Sequence, residues 1–478
     1  MILSFRTCSW FAVALAVSAN VAAGQTTRSG PSEDPAQPPA EHAPTTQPSS
    51  PLAVHIGDAD LLIGGFMDAM AVMRSTNPGT GIGSSFGSIP FTTTPTGAPN
   101  PTGNLSETRF SAQNSRLSLQ ATSKVGNASL KGYLEADFLG NTSTNIDVTS
   151  NSNGLRMRLY WAQFTTGKFE FLAGQSWSLL TPNRNGLSPA PGDLFYSQDV
   201  DTNYQNGLIW GRTMGFRFIA HAGETVTAGF ALENPEQYVG GAVVLPSAFP
   251  AGEVNTGSSA LAASSPVPNG YPDIIGKVAL DPKTGSLHQH IDAAFLIRGY
   301  KTFNPGTSAT ATETGTGGSV NVVLEPVKDV RLIATNFFSR GGGRYIANAN
   351  IPDFIVNANQ TMSLVKSWSG IYGAEVTVKK SLLYGYYSLV KATQNTGLDA
   401  NGTTPIGFGI GGSQSANEKI NETTVGITQT LFRDAKIGGM QLMLQFSNVQ
   451  RTPFSVPVGT PSDAKMNMVY VNVRYLLP

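Results

Sequence analysis

From residue 52 onward, apolar residues recur at every second position in short runs, and this period constrains the fold more than any other feature of the chain. In residues 128–138 (ASLKGYLEADF), Leu130, Leu134, Ala136 and Phe138 fall on one face, with Lys131, Tyr133, Glu135 and Asp137 on the other. Residues 155–162 set Leu155, Met157, Leu159 and Trp161 against Arg156, Arg158 and Tyr160, and residues 214–220 set Met214, Phe216, Phe218 and Ala220 against Arg217. The pattern continues through Ile291–Ile297, Tyr372–Val378, Met440–Phe446 and Val469–Tyr475, the last taken as the final strand. A side-chain period of two belongs to strands, and each run is too polar on its second face to be buried on both sides.

Two architectures satisfy such a census: a soluble β-protein that is apolar inside, or a membrane barrel that is apolar outside and wet inside. The N-terminus helps to decide. Arg6, an apolar run from Trp10 to Val17, and the small residues Ala19, Ala22, Ala23 and Gly24 read as a cleaved signal peptide over 1–24. Cys8, the single cysteine, would leave with it, so no disulfide is expected. Residues 25–51 carry seven prolines and no apolar periodicity, as a disordered linker does. An exported chain therefore remains over 52–478, with no apolar stretch approaching the ~20 residues of a spanning helix.

Composition agrees with a membrane barrel. The 31 basic and 31 acidic residues cancel, which argues against nucleic acid as a partner, and charged residues make up only 13%. A lipid-facing belt excludes charge, while 52 glycines and 30 prolines indicate many turns. Tyr133, Phe138, Tyr160, Trp161, Tyr384, Tyr386 and Tyr387 suit interfacial girdles. Connections alternate between short (124–127, 433–439) and long (75–104, 139–154, 176–206, 240–272, 302–317, 393–416). The expected fold is an all-β transmembrane antiparallel barrel of about 16 strands, within a range of roughly 14–18.

Four segments also carry a family likeness. Residues 107–120 (ETRFSAQNSRLSLQ), 132–140 (GYLEADFLG), 155–164 (LRMRLYWAQF) and 171–178 (FLAGQSWS) resemble, in order and spacing, the opening strands of the DcaP-like outer-membrane porins. The resemblance covers roughly the first third of the mature chain. It implies a homotrimeric, 16-stranded channel in the cell outer membrane of a Gram-negative-type bacterium, passing small and often anionic solutes such as dicarboxylates. Two departures stand out. The Pro-rich segment cannot form the short periplasmic coiled coil found in many members, and Leu476, Leu477 and Pro478 follow the last aromatic, Tyr475.

A porin selects by pore width and by charge on its inner wall. The pore-lining candidates are Arg116, Lys131, Arg156, Arg158 and Arg217, together with Arg109 and Arg212, near which the strand phase breaks. Glu135, Asp137 and Glu170 oppose them. The basic residues either form a ladder attracting carboxylates or pair with these acids and stiffen the wall. The stretch after Trp177 is too long for a turn and is expected to fold into the barrel, bringing Arg184 near the constriction, the alternative being an extracellular cap loop.

Asp193, Asp199, Asp201 and Asn203 lack the spacing of a calcium loop, and His288 and His290 read as a solvated pair. None of His42, His55, His221, His288 and His290 adjoins a nucleophilic serine motif, so neither enzymatic activity nor a cofactor is expected. The competing reading is a barrel plugged by its own loops, serving as an adhesin or envelope anchor.

Overall fold

The computed structural model describes residues 50–83, 85–140, 153–190, 205–257, 267–283, 285 and 287–478. The signal and linker segments, but for the last residues of the linker, and the Asp193–Asn203 cluster lie outside them.

The alternation closes into an antiparallel barrel of 16 strands. In chain order these are β1 (Ala59–Arg74), β2 (Glu107–Ser111 continued by Arg116–Val125), β3 (Ala128–Asp137), β4 (Arg156–Thr166), β5 (Phe169–Trp177), β6 (Arg212–Ala222), β7 (Val226–Glu233) and β8 (Asp273–Leu280). There follow β9 (Gln289–Asn304), β10 (Ala309–Val327), β11 (Val330–Arg340), β12 (Lys366–Val378), β13 (Ser381–Ala392), β14 (Asn417–Asp434), β15 (Gly438–Pro453) and β16 (Ala464–Leu476). Each strand pairs with the next, and β16 closes on β1 with Phe66↔Leu476 through Arg74↔Met468. A four-residue strand, Ala53–Ile56, lies beside the start of β1.

The apolar face points outward. Leu130, Leu134, Met214, Phe216 and Phe218 are all exposed, as are Leu332, Val376 and Leu444 on the far wall. The connections at one end are tight. Gly126 and Gly167 take positive φ (60° and 55°) in two-residue turns, a backbone that closes hairpins with little strain when Cβ is absent. Both termini of the described chain lie at this end, where the Ser50 hydroxyl donates to the Pro478 carbonyl.

Three expectations change. Residues 302–317 are not a long loop: β9 and β10 run on through them as a tall hairpin, Asn304 pairing with Ala309, because alternating threonines suit strand geometry. A register shift against Glu135 and Ala136 leaves Arg158 as an extra residue in β4. Leu159 and Trp161 therefore turn inward with Arg158 while Tyr160 faces out, the reverse of strict alternation. Finally, Tyr133, Trp161, Tyr384 and Tyr386 are not girdle residues. They stack inside the barrel as Tyr133–Trp161 (5.4 Å) and Tyr384–Tyr386 (5.3 Å), leaving Tyr160 and Tyr387 on the outer wall.

Long connections at the opposite end pack into the barrel. Trp210 donates its backbone N–H to Tyr345, Ala347 to Leu208, and Asp353 to Tyr238, knitting the loops after β5, β7 and β11 together. Their apolar residues, including Leu179, Ile209, Val239, Ile346 and Phe354, join inward wall residues such as Ile275, Leu296 and Ile420 in one buried cluster. The barrel thus has an apolar core within its lumen as well as an apolar belt outside.

Candidate functional site: the inner wall and the in-folded segment

Residues 178–190 leave the end of β5 and run along the inner wall of distant strands. The Leu179 amide donates to Glu233 (2.7 Å), Asn183 to Asp292 (3.1 Å) and Gly186 to Asp281 (3.1 Å). From the wall, Lys277 Nζ donates to the Thr181 carbonyl (2.7 Å) and to Asn183 Oδ1 (3.0 Å), and Asn321 donates to the Asn183 carbonyl (2.8 Å). The segment therefore follows the inner wall from β7 to β10. Its tip, Arg184, reaches β12, where Nη2 and Nη1 bond the two oxygens of Glu375 at 2.5 and 3.1 Å.

His288 and His290 help to hold this segment, so they are not a solvated pair. His288 Nε2 meets the Arg184 carbonyl at 2.7 Å. His290, fully buried, lies between Asp281 (2.7 Å) and Asp292 (3.0 Å), the same two carboxylates that receive backbone N–H groups of the segment. Among the described residues no cluster of ligands suits a metal ion.

The wall from β2 to β6 carries most of the remaining candidates. On β3 and β4, Arg156 makes a two-bond pair with Asp137 (3.0 and 2.6 Å). Arg158, fully buried, bonds Glu135 (2.5 Å) and Asp137 (3.1 Å), and its guanidinium lies 5.8 Å from the Trp177 ring. Lys131 shares their face, half-buried, and Arg116 lies over the Phe66 ring at 5.3 Å. Arg217 is buried on β6 and donates to the Trp177 carbonyl. Arg212 sits about equally close to Trp177 (5.9 Å) and Trp210 (6.0 Å), whose rings meet edge to face.

Arg109 stands apart from this group. It lies beyond the break in β2 at residues 112–115 and pairs with Glu107 at 2.7 Å, beside the buried Arg74. Several participants were not anticipated: Glu375, Lys277, Asp292, and the ring pair Trp177–Trp210. Trp177 alone had a local signal, as the aromatic that ends a strand before a long connection.

A second charged knot secures the loops. Arg298 bonds Asp273 (3.1 Å) and Asp353 (2.7 Å), while the Arg344 amide and the Tyr238 amide donate to Asp353 (2.9 and 3.2 Å). Burial pushes the Asp353 carboxyl above the usual carboxylate range, with Arg298 pulling the other way. Beyond the knot, a cavity of 430 Å³ opens among Gly87, Ser88, Asn350, Ser413 and Arg451 at the long-loop end.

The fold is that of outer-membrane porins. The crystal structure of the outer membrane channel DcaP of Acinetobacter baumannii superposes with a TM-score of 0.62 at 17% identity, covering 87% of this chain and 97% of that one. Two structures are more distant: an anion-selective porin from Comamonas acidovorans (TM-score 0.47, 12% identity, 87% and 99% covered) and OmpT of Vibrio cholerae (0.46, 10%, 89% and 99%). No protein-family model matches the chain, and no curated protein matches it in sequence.

Proposed function

We propose that this chain is an outer-membrane channel for passive diffusion of small hydrophilic solutes that favours small anions, dicarboxylates among them. The observation that carries the reading is the charge on one inner wall beside an in-folded segment. Arg116, Lys131, Arg156, Arg158, Arg212 and Arg217 stand on β2–β6 against Glu135, Asp137 and Glu170, and the remaining acid of these strands, Glu107, is taken up by Arg74 and Arg109. Even after the Arg156–Asp137 and Arg158–Glu135 pairs are formed, this wall keeps a net positive charge, and low-dielectric walls focus such a field on permeating ions. Trp177, Trp210 and the Tyr133–Trp161 stack narrow the same region.

Planar-bilayer recording tests both parts. Ohmic conductance supports the channel, and a salt-gradient reversal potential of anionic sign supports the preference. A cationic sign would refute the preference alone. The chain is further proposed to act as a homotrimer, after removal of a signal peptide over 1–24, with the linker over 25–51 preceding the barrel; crosslinking and N-terminal sequencing of the mature protein test these points. We propose no catalytic role and no cofactor.

A second reading rests on the loops that meet inside the lumen. Their buried cluster, with Ile209, Val239, Tyr345 and Phe354, favours a plugged envelope protein or adhesin if it leaves no passage. Correctly folded protein without conductance would select it.

A further inference from the structure

We propose that the outer wall of β11–β14 at the long-loop end is a docking surface for a phosphorylated glycolipid of the outer membrane leaflet. Its basis is a row of cations on consecutive strands. Arg340 on β11 pairs directly with Lys366 on β12, and Lys391 on β13 pairs directly with Lys419 on β14. Trp368, two residues along from Lys366, is the β12 partner of Lys391 and joins the two pairs into one row. With neighbouring strands about 4.8 Å apart, the row extends roughly 15 Å around the barrel.

These side chains face away from the lumen. The alternate residues Ser367, Ser369, Ile371 and Glu375 are buried inward, while Arg340, Lys366 and Lys391 are exposed and Lys419 is half-buried. Like charges placed directly opposite one another across two strands repel. Here two such pairs stand side by side, and among the described residues none of the four cations forms an ion pair. The nearest acid in sequence, Glu418, occupies the irregularity between Asn417 and Lys419 and is not bonded to the row. An arrangement of this kind is relieved by an external anion bearing more than one charge.

The surface next to the row specifies the rest of the ligand. Phe338 and Trp368 stack immediately below it on the outer wall (6.2 Å between centroids), and Tyr372, Tyr387, Leu332, Val376 and Leu383 continue downward as exposed apolar surface. Phosphates at the level of the row and acyl chains along the rings and aliphatic residues would satisfy both parts at once. A soluble anion would leave the apolar part unused. The long connections place this end outermost, in the leaflet where such glycolipids reside.

The proposal is independent of conduction, since none of these side chains enters the lumen. Native mass spectrometry in detergent, with lipid A bearing both phosphates as the probe, tests it on the wild type, on a Lys366→Gln/Lys391→Gln variant and on Arg340→Gln. The expected result is retention by the wild type that falls at least tenfold in the double variant, falls less in Arg340→Gln, and falls with dephosphorylated lipid A. Conductance and heat-modifiable migration should stay at wild-type values. Equal retention by wild type and double variant, or equal retention of phosphorylated and dephosphorylated lipid, would overturn the proposal. So would a change of oligomeric state in the variants with lipid retention unaltered, which would assign the row to contact with another copy of the chain.

Discussion

Arg184 and Glu375, 191 residues apart in sequence, form a two-bond ion pair that fastens the tip of the in-folded segment to the wall of β12. Glu375 is almost wholly buried and also accepts from the Tyr386 hydroxyl at 2.8 Å, with Arg331 3.7 Å away. The segment is thus anchored at its far end by a side chain whose own surroundings are prepared for it.

Replacing Arg184 by alanine frees that tip. Single-channel conductance should rise, and stability should fall by on the order of 1–3 kcal/mol because Glu375 keeps only part of its bonding. Unchanged conductance would show that the segment does not limit the pore.

Lys277→Met acts on the same segment from β8. The Lys277 ammonium is fully buried, 3.2 Å from Asp292, and holds the Thr181 carbonyl. Removing one partner of a buried pair costs on the order of 3 kcal/mol, to be read as a lower temperature of heat-modifiable migration. Conductance should become noisier, since Thr181 and Asn183 lose their wall contact.

Selectivity is tested by reversing charge at two half-buried cations of the wall. Arg116→Glu with Lys131→Glu should lower the anion-to-cation permeability ratio roughly twofold or more. The buried Arg158 is the wrong target, because its loss would strip Glu135 of its guanidinium partner and Asp137 of one of two, and disturb the barrel before it altered the field.

Trp177→Ala removes a ring packed against Trp210 and faced by Arg158 and Arg212. Large-to-small changes at buried aromatics cost about 3–5 kcal/mol, and a wider conductance should accompany the loss of stability.

Gly174→Ala addresses backbone geometry. Gly174 has φ of 135°, and a Cβ there would meet Trp161 Cα at 2.5 Å. Folding yield should drop, with a strain cost of about 1–3 kcal/mol or more, whereas Gly132→Ala, with open space around it, should be tolerated.

Much of this architecture is readable from local sequence, because in a strand each side chain's face follows from parity. Met214, Phe216 and Phe218 lie outside and Arg217 inside, as alternation requires. The rule fails where one residue is inserted. Nothing in LRMRLYWA marks the irregularity at Arg158, so Leu159, Trp161 and Tyr160 are assigned to the wrong faces by parity alone. It also fails where partners are remote. Arg156 and Asp137 sit on adjacent strands and can be matched by register, but Glu375 and Lys277 are joined to residues 181–184 only once the barrel has closed. The threonine-rich 302–317 stretch misleads for another reason: polar composition suggests a loop, while β-branching and period two suit a strand.

The seam between β1 and β16 carries a consequence for biogenesis. Asp68 accepts from Asn114 (2.6 Å) in the break of β2, but also from Asn472 (3.1 Å) and Arg474 (3.0 Å), partners more than 400 residues downstream. The first strand must therefore wait, with this carboxylate only partly satisfied, until the last has been exported. Loop closure over such a separation is entropically slow, so a chain of this design depends on being kept from aggregating during transit, and its quality check is built into the order of synthesis. Truncation anywhere before β16 leaves an open sheet with two bare edges, which is a template for misassembly and a natural signal for proteolysis.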